Sequence, residues 1–280
     1  MKRINGLLFG LFYACSTYAN QIYKIDIDKF DPITMDKILK EHGSFEVVGK
    51  SVEEIRPYAY SAMRQTQEIF SRPIEELEQV KDTDFIFNGF QNVREQTLGK
   101  YTLEIHNKGY SNLIVRNQIA FHFKPYKEKK IPAGLVNLNP YAAYYEHGFT
   151  FLDKLYLSIA KYFIKKEFWT VDDVANQTNV LTSRKYFDAP IGHTGIPPHS
   201  DYGLLTMVIS NKDGLQVLEG QNTKSGNWIN AKSKNSNDKS LRFYINIGDW
   251  LLFQTQRVHE FVAGVHQVPA VKKDRYSIAF

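Results

Sequence analysis

Hydrophobic and polar positions divide this chain into two textures. The stretch "YKIDIDKF" (23–30) alternates apolar and polar residues and predicts an edge strand. Apolar residues then recur at helical intervals over 33–42 and 51–80. The second window opens on Ser51 and Glu54, the Ser-x-x-Glu spacing of a capping box, and Pro73 divides it into two helices. A further helix is predicted from Tyr141 to about Lys166. Beyond about residue 177 the pattern shortens to strand-length runs: "NVLTSRKYF", "GLLTMVIS", "GLQVLE", "RFYINIGDWLLFQ", "FVAGVHQV" and "DRYSIAF". Successive short strands without helices between them predict a sandwich or jelly roll. The polar tract 221–240 reads as an extended loop. The predicted plan is mainly β with flanking helices (α+β): a helix-rich region over 20–176 and a β core over 177–280.

The first residues stand apart. "MKRINGLLFGLFYACSTYAN" has early basic residues, an apolar stretch from Ile4 to Ala14 and the small-residue pattern Thr17-x-Ala19. That layout is a secretory signal peptide over 1–19, too short for a stable membrane span, and it predicts export to a periplasmic or extracellular space. Without cleavage the chain would be cytoplasmic. The single cysteine, Cys15, falls inside this segment, so the expected mature chain has no disulfide, thiolate metal site or cysteine nucleophile. Any metal must be held by His, Asp or Glu.

Hydrophobic residues make up 43% of the 280-residue chain and aromatic residues 14%, which fits a folded, β-rich protein. The net charge of +5 arises from 35 basic and 30 acidic residues spread along the chain, with only short clusters such as Lys127–Lys130. That distribution is a solvated surface and excludes a nucleic-acid footprint. No Gly-rich phosphate loop, serine nucleophile elbow or His-Glu-x-x-His zinc motif occurs.

Candidate chemistry begins at "PPHSDYGLLTMV". His199 and Asp201, one residue apart, would project together from the leading end of a strand over 204–209, either as two ligands for one metal or as a hydrogen-bonded pair. His266, in "AGVHQV", lies on another predicted strand, and facing strands of a jelly roll could bring it in as a third ligand. Two histidines and one carboxylate fill one face of an octahedron and leave three positions open, as non-haem Fe(II) oxygenases require. In "RYS", Arg275 and Ser277 share a face of the last strand, predicted to adjoin that of His266. A guanidinium fork beside a hydroxyl suits a carboxylate.

His-x-Asp, a distant His and Arg-x-Ser in this order resemble the Fe(II)/2-oxoglutarate-dependent dioxygenases of the isopenicillin N synthase-like family. "YKIDIDKF", "EHGSFEVVGKSV", "GLQVLE" and "NIGDWLLF" resemble further segments of it, over roughly 22–280. The resemblance implies a jelly-roll (double-stranded β-helix) core in which His199, Asp201 and His266 bind Fe(II). It implies that Arg275 and Ser277, helped by Tyr186, hold the distal carboxylate of 2-oxoglutarate. The implied reaction oxidises a C–H bond of a small molecule with O₂, giving succinate and CO₂.

The chain departs from the family in stopping at Phe280, directly after the Arg-x-Ser strand, which predicts a more open substrate site or one completed by a partner. The spacing from Asp249 to His266 is also longer than usual, making His259 a competing ligand, although His259 lies far from Arg275 in sequence. His193 reads as an exposed loop residue, and Asn246 and Asp249 as a turn held by Asx hydrogen bonds. Three other readings are an Fe(II) oxidase in which Arg275 grips a substrate carboxylate, a non-catalytic ligand-binding jelly roll, and a zinc hydrolase. Substrate identity and oligomeric state are not written in the sequence.

Overall fold

Two facing sheets form the scaffold in the computed structural model, which describes residues 22–81, 89–92, 115–116, 118–124, 137–164, 179–188, 193–219, 227–231, 241–257 and 259–280. The predicted signal segment, Cys15 and the Lys127–Lys130 cluster lie outside these residues. With strands numbered in chain order, the larger sheet holds eight: β1 (Lys24–Asp26), β2 (Ser44–Val48), β3 (Gly89–Asn92), β5 (Gln118–Phe123), β6 (Leu181–Tyr186), β9 (Leu205–Ser210), β12 (Phe243–Ile247) and β14 (Arg275–Ala279). Their spatial order is β1-β2-β12-β9-β14-β6-β5-β3. The smaller sheet holds β8 (Ile196–His199), β10 (Gln216–Leu218), β11 (Trp228–Asn230) and β13 (His266–Val268), in the order β11-β10-β13-β8. A short parallel pair joins β4 (Val115–Arg116) to β7 (His193–Thr194). Strands from both sides of residue 177 share the larger sheet.

Strand alternation gives the larger sheet two different faces. Along β6, Leu181 joins the main core and Ser183 receives a hydrogen bond from Tyr141, whereas Tyr186 packs with Val208 and Tyr244 against Leu215 and Val268 near the smaller sheet. One face therefore meets the helices, and the other bounds the space between the sheets.

The helices are α1 (Pro32–Glu41), α2 (Lys50–Ile69), α3 (Ile74–Glu78), α4 (Asn139–Phe163) and α5 (Asp249–Thr255). Helix α2 buries Val52, Ile55, Ala59, Ala62, Met63, Thr66 and Ile69, one face at 3.6-residue spacing. Pro73 divides it from α3, as the sequence predicts. No helix of the described residues is long and apolar enough to cross a membrane.

Four local expectations are corrected. Ser51 does not cap α2: the N-cap is Gly49, and Ser51 sits inside the helix, its backbone N–H and hydroxyl both donating to the Asp28 carboxylate. A carboxylate from a preceding turn thus replaces the local capping box. "GDWLLFQ" forms α5 and not a strand, because Leu251, Leu252 and Thr255 share a buried face while Trp250 and Phe253 lie outside. The 221–240 tract contains a strand, β11. His199 does not lead β9; it ends its own strand, β8, whose prolines are tolerated because β8 is an edge strand.

Gly43 and Gly264 mark a close backbone crossing. Gly43 has φ +60°, and a side chain there would meet the Val262 carbonyl oxygen. Ile247 N–H donates to Gly43 O at 2.8 Å, and Gly264 N–H donates to Ile247 O at 2.9 Å, so β12 and the approach to His266 are fixed together. Gly43→Ala is expected to cost about 2 kcal/mol or more, a fall in melting temperature of about 5 °C. A thermal scan showing an unchanged midpoint would contradict this crossing.

Candidate functional site

His199 and His266 are direct partners in the antiparallel register of β8 and β13, side by side in one sheet and not facing each other across two. Asp201 follows β8 in the link to β9. Each of the three side chains offers a ligand atom, and these atoms lie within 4.8 Å of one another; no other such group occurs among the described residues. His199 Nε2 is 3.7 Å from Asp201 Oδ1, and His266 Nε2 is 3.8 Å from Asp201 Oδ2. Both separations are too long for a hydrogen bond, which removes the simple His–Asp pair as an account of the cluster.

The tautomers follow from the backbone. His199 Nδ1 lies 2.9 Å from Pro197 O, and His266 Nδ1 lies 2.8 Å from Gly264 O. A carbonyl only accepts, so each Nδ1 carries a proton, and Nε2 is the nitrogen a neutral ring presents to a cation. Burial, reinforced by neighbouring His266, pushes His199 down to about 3, which leaves it neutral at pH 7. Burial acts to raise Asp201, but His266, His199, a hydrogen bond with Thr206 and the charge of Arg184 together hold the carboxyl below its ordinary value. Asp201 Oδ2 is buried without a hydrogen-bond partner among the described residues. Two imidazole Nε2 atoms beside an unsatisfied carboxylate oxygen form a donor set that fits a divalent cation.

Arg275, Ser277 and Tyr186 also come together. Arg275 and Tyr186 are partners in the β14–β6 ladder, and the guanidinium carbon stands 4.9 Å from the Tyr186 ring centroid. The Ser277 hydroxyl donates to Tyr186 Oη at 3.3 Å. Arg275 is 1% exposed; its Nε donates to Lys212 O, while Nη1 is buried with no hydrogen-bond partner among the described residues. Burial pushes the guanidinium below its ordinary value. An almost dry cation with an idle donor calls for an anion, and its planar fork fits a carboxylate. The expectation that Arg275 adjoins the strand of His266 is corrected: β13 and β14 belong to different sheets.

His259 lies exposed in a turn and is not part of the cluster, so it does not compete with His266. His193 lies on β7. Asn246 and Asp249 do not make the predicted Asx turn. Asn246 sits within β12 and accepts from the Ser44 hydroxyl at 2.8 Å, while Asp249 starts α5 and accepts from Ser200 at 3.2 Å.

Two inner-face residues escaped the sequence reading, Arg184 and His122. The available signal was period two: Thr182 and Arg184 share the face of Tyr186. His122 is buried, with Nδ1 2.9 Å from Thr182 Oγ1 and Nε2 3.1 Å from Gln91 Oε1. Burial and nearby Arg184 and Lys124 push it down to about 3. The unfolded chain, with an ordinary imidazole near 6.5, therefore binds a proton that the folded chain refuses between about pH 6.5 and 3. Stability is lost as pH falls through that window, by up to about 1.4 kcal/mol per pH unit for this one group. Urea unfolding of His122→Gln from pH 7 to 5 should show a flatter profile than the parent; identical slopes would contradict the assignment.

Comparison with known proteins is consistent with this geometry. Residues 177–280 match the family model described as the 2OG-Fe(II) oxygenase superfamily. No curated protein matches the sequence. Among solved structures, the dioxygenase for auxin oxidation 1 from Arabidopsis thaliana, in a 2-oxoglutarate binary complex, is similar at 16% identity and TM-score 0.66, over 92% of this chain and 91% of that one. A protein from Shewanella oneidensis described as an oxygenase is similar at 21% identity and TM-score 0.62, over 92% and 88%. A full-length Neurospora crassa protein in complex with alpha-KG is similar at 17% identity and TM-score 0.60, over 92% and 83%. These structures share the jelly-roll fold with flanking helices. The likeness to the 2OG-Fe(II) oxygenase superfamily thus falls on residues 177–280, the stretch that carries His199, Asp201, His266, Arg275, Ser277 and Tyr186.

Proposed function

We propose that the chain is a non-haem Fe(II)- and 2-oxoglutarate-dependent oxygenase that oxidises a C–H bond of a small molecule by hydroxylation, desaturation or ring closure. Succinate and CO₂ are the co-products. The observation that carries this reading is a matched pair of deficits in one fold. Asp201 Oδ2 is buried without a donor and Arg275 Nη1 without an acceptor among the described residues. A cation answers the first and a carboxylate the second.

In this reading His199, Asp201 and His266 hold Fe(II), which supplies the redox chemistry with O₂ and the keto acid. The carbonyls of Pro197 and Gly264 keep both Nε2 lone pairs available. Arg275 grips the distal carboxylate of 2-oxoglutarate, Ser277 and Tyr186 add hydroxyls, and the Tyr186 ring supports the guanidinium. Val208, Leu215, Tyr244 and Val268 keep the neighbouring volume apolar, which strengthens each charge contact. Support comes also from the family match and from the keto acid named in similar structures.

The test is conversion of 2-oxoglutarate to succinate by the purified protein. It should require Fe(II), stop with a chelator, and return on adding Fe(II) but not Zn(II). Turnover that persists after chelation would overturn the reading. Oxygen uptake without the keto acid would favour an Fe(II) oxidase in which Arg275 binds a substrate carboxylate.

A further inference from the structure

Resting on the oxygenase reading, we propose that Arg184 recognises a carboxylate of the substrate. Arg184 lies on β6 between Thr182 and Tyr186 on the face toward the space between the sheets. Its register partners are Ser277 on β14 and Ala120 on β5. The same face presents Tyr186, Ser277, Arg275, Thr182, Gln118 and His122, none of them acidic. Arg184 is half-buried and has no hydrogen-bond or ion-pair partner among the described residues. Lys185, one residue on and facing the other way, is by contrast paired with Asp274 at 3.1 Å.

Position separates Arg184 from the keto-acid anchor. On β14 it faces Ser277, two residues beyond the register partner of Tyr186, and on β5 it faces Ala120, between Gln118 and His122. Arg184 therefore stands one inward-facing position along β6 from Tyr186 and is the less buried guanidinium, while Arg275 is almost fully buried opposite Tyr186. The two polar ends of 2-oxoglutarate are accounted for by Arg275 and the metal. A partly desolvated guanidinium left over needs an anion when the site fills, and the remaining molecule to bring one is the substrate. A single fork with two parallel N–H donors matches a carboxylate monoanion.

The experiment uses the full chain loaded with Mn(II) and 2-oxoglutarate, and calorimetry reads the binding of benzoate, phenylacetate and hexanoate against their primary amides. At least one acid should bind about tenfold or more tightly than its amide, the worth of a charge-assisted hydrogen bond. Arg184→Gln should reduce that ratio to about twofold or less, and Arg184→Lys should restore part of it. Arg184→Met carries the same comparison if the glutamine variant does not fold. The proposal is overturned if no acid outbinds its amide in the parent, or if the preference survives Arg184→Gln. It is also overturned if Arg184→Gln weakens 2-oxoglutarate more than the acids, which would assign Arg184 to the keto acid. Failure of the parent protein to take up 2-oxoglutarate would instead sink the oxygenase reading, a result visible before any acid is added.

Discussion

Asp201→Ala should lower succinate formation from 2-oxoglutarate by at least about 100-fold, more than loss of a supporting residue around a metal costs. The same substitution should change the stability of the metal-free protein little, by about 1 kcal/mol or less. The two effects diverge because of what Asp201 lacks. Its Oδ2 is buried with no donor among the described residues, and both imidazole nitrogens beside it stand beyond hydrogen-bond distance. The unsatisfied Oδ2 costs folding free energy, while the groups that hold the carboxyl below its ordinary value offset that cost, so the metal-free protein gains or loses little when the side chain is removed. The parent should gain about 2.7 kcal/mol of stability from Mn(II) at about 100 times its dissociation constant, and the variant should gain almost none. His199→Ala should share the loss of turnover. Retained turnover, or a metal-free Asp201→Ala protein that unfolds several degrees early, would show the carboxylate to be a structural part and not a ligand.

Arg275→Gln should raise the KM for 2-oxoglutarate on the order of 100-fold, the range seen when one partner of a buried charge pair is lost. Mn(II) should still stabilise the variant, which separates this effect from that of Asp201. Arg275→Lys should rescue little, because an ammonium cannot reproduce the fork or its contact with the Tyr186 ring. Steady-state KM and Mn(II)-dependent melting measured on the same preparations check both halves. An unchanged KM would remove the distal-carboxylate role from Arg275.

Sequence pattern served well where one element carries its own signal. Helices α1, α2 and α4, the edge position of β1 and the strands β6, β9, β10, β13 and β14 were all readable from periodicity. His199, Asp201, His266, Arg275 and Ser277 were singled out from short local patterns, and Tyr186 through the family resemblance. What escaped depends on distant partners. Strand β5 is buried throughout, so Gln118 and His122 break no visible alternation, and only pairing with β6 explains them. The Trp-Leu-Leu-Phe run of α5 is apolar on both sides, which hides its helical period. The cap on α2 belongs to Asp28, well upstream in the chain. The pairing of His199 with His266 is a matter of register across the smaller sheet, and no local pattern specifies register between remote strands.

The position of β8 gives the ion a second task. Among the described strands this outermost one pairs only with β13, its ladder is irregular there, and Pro197 and Pro198 contribute no amide hydrogens to it. A cation shared by His199 and His266 would rivet that weak margin across the two strands. Iron depletion would then announce itself as fraying near residues 196–203, open to proteases while the rest of the barrel holds.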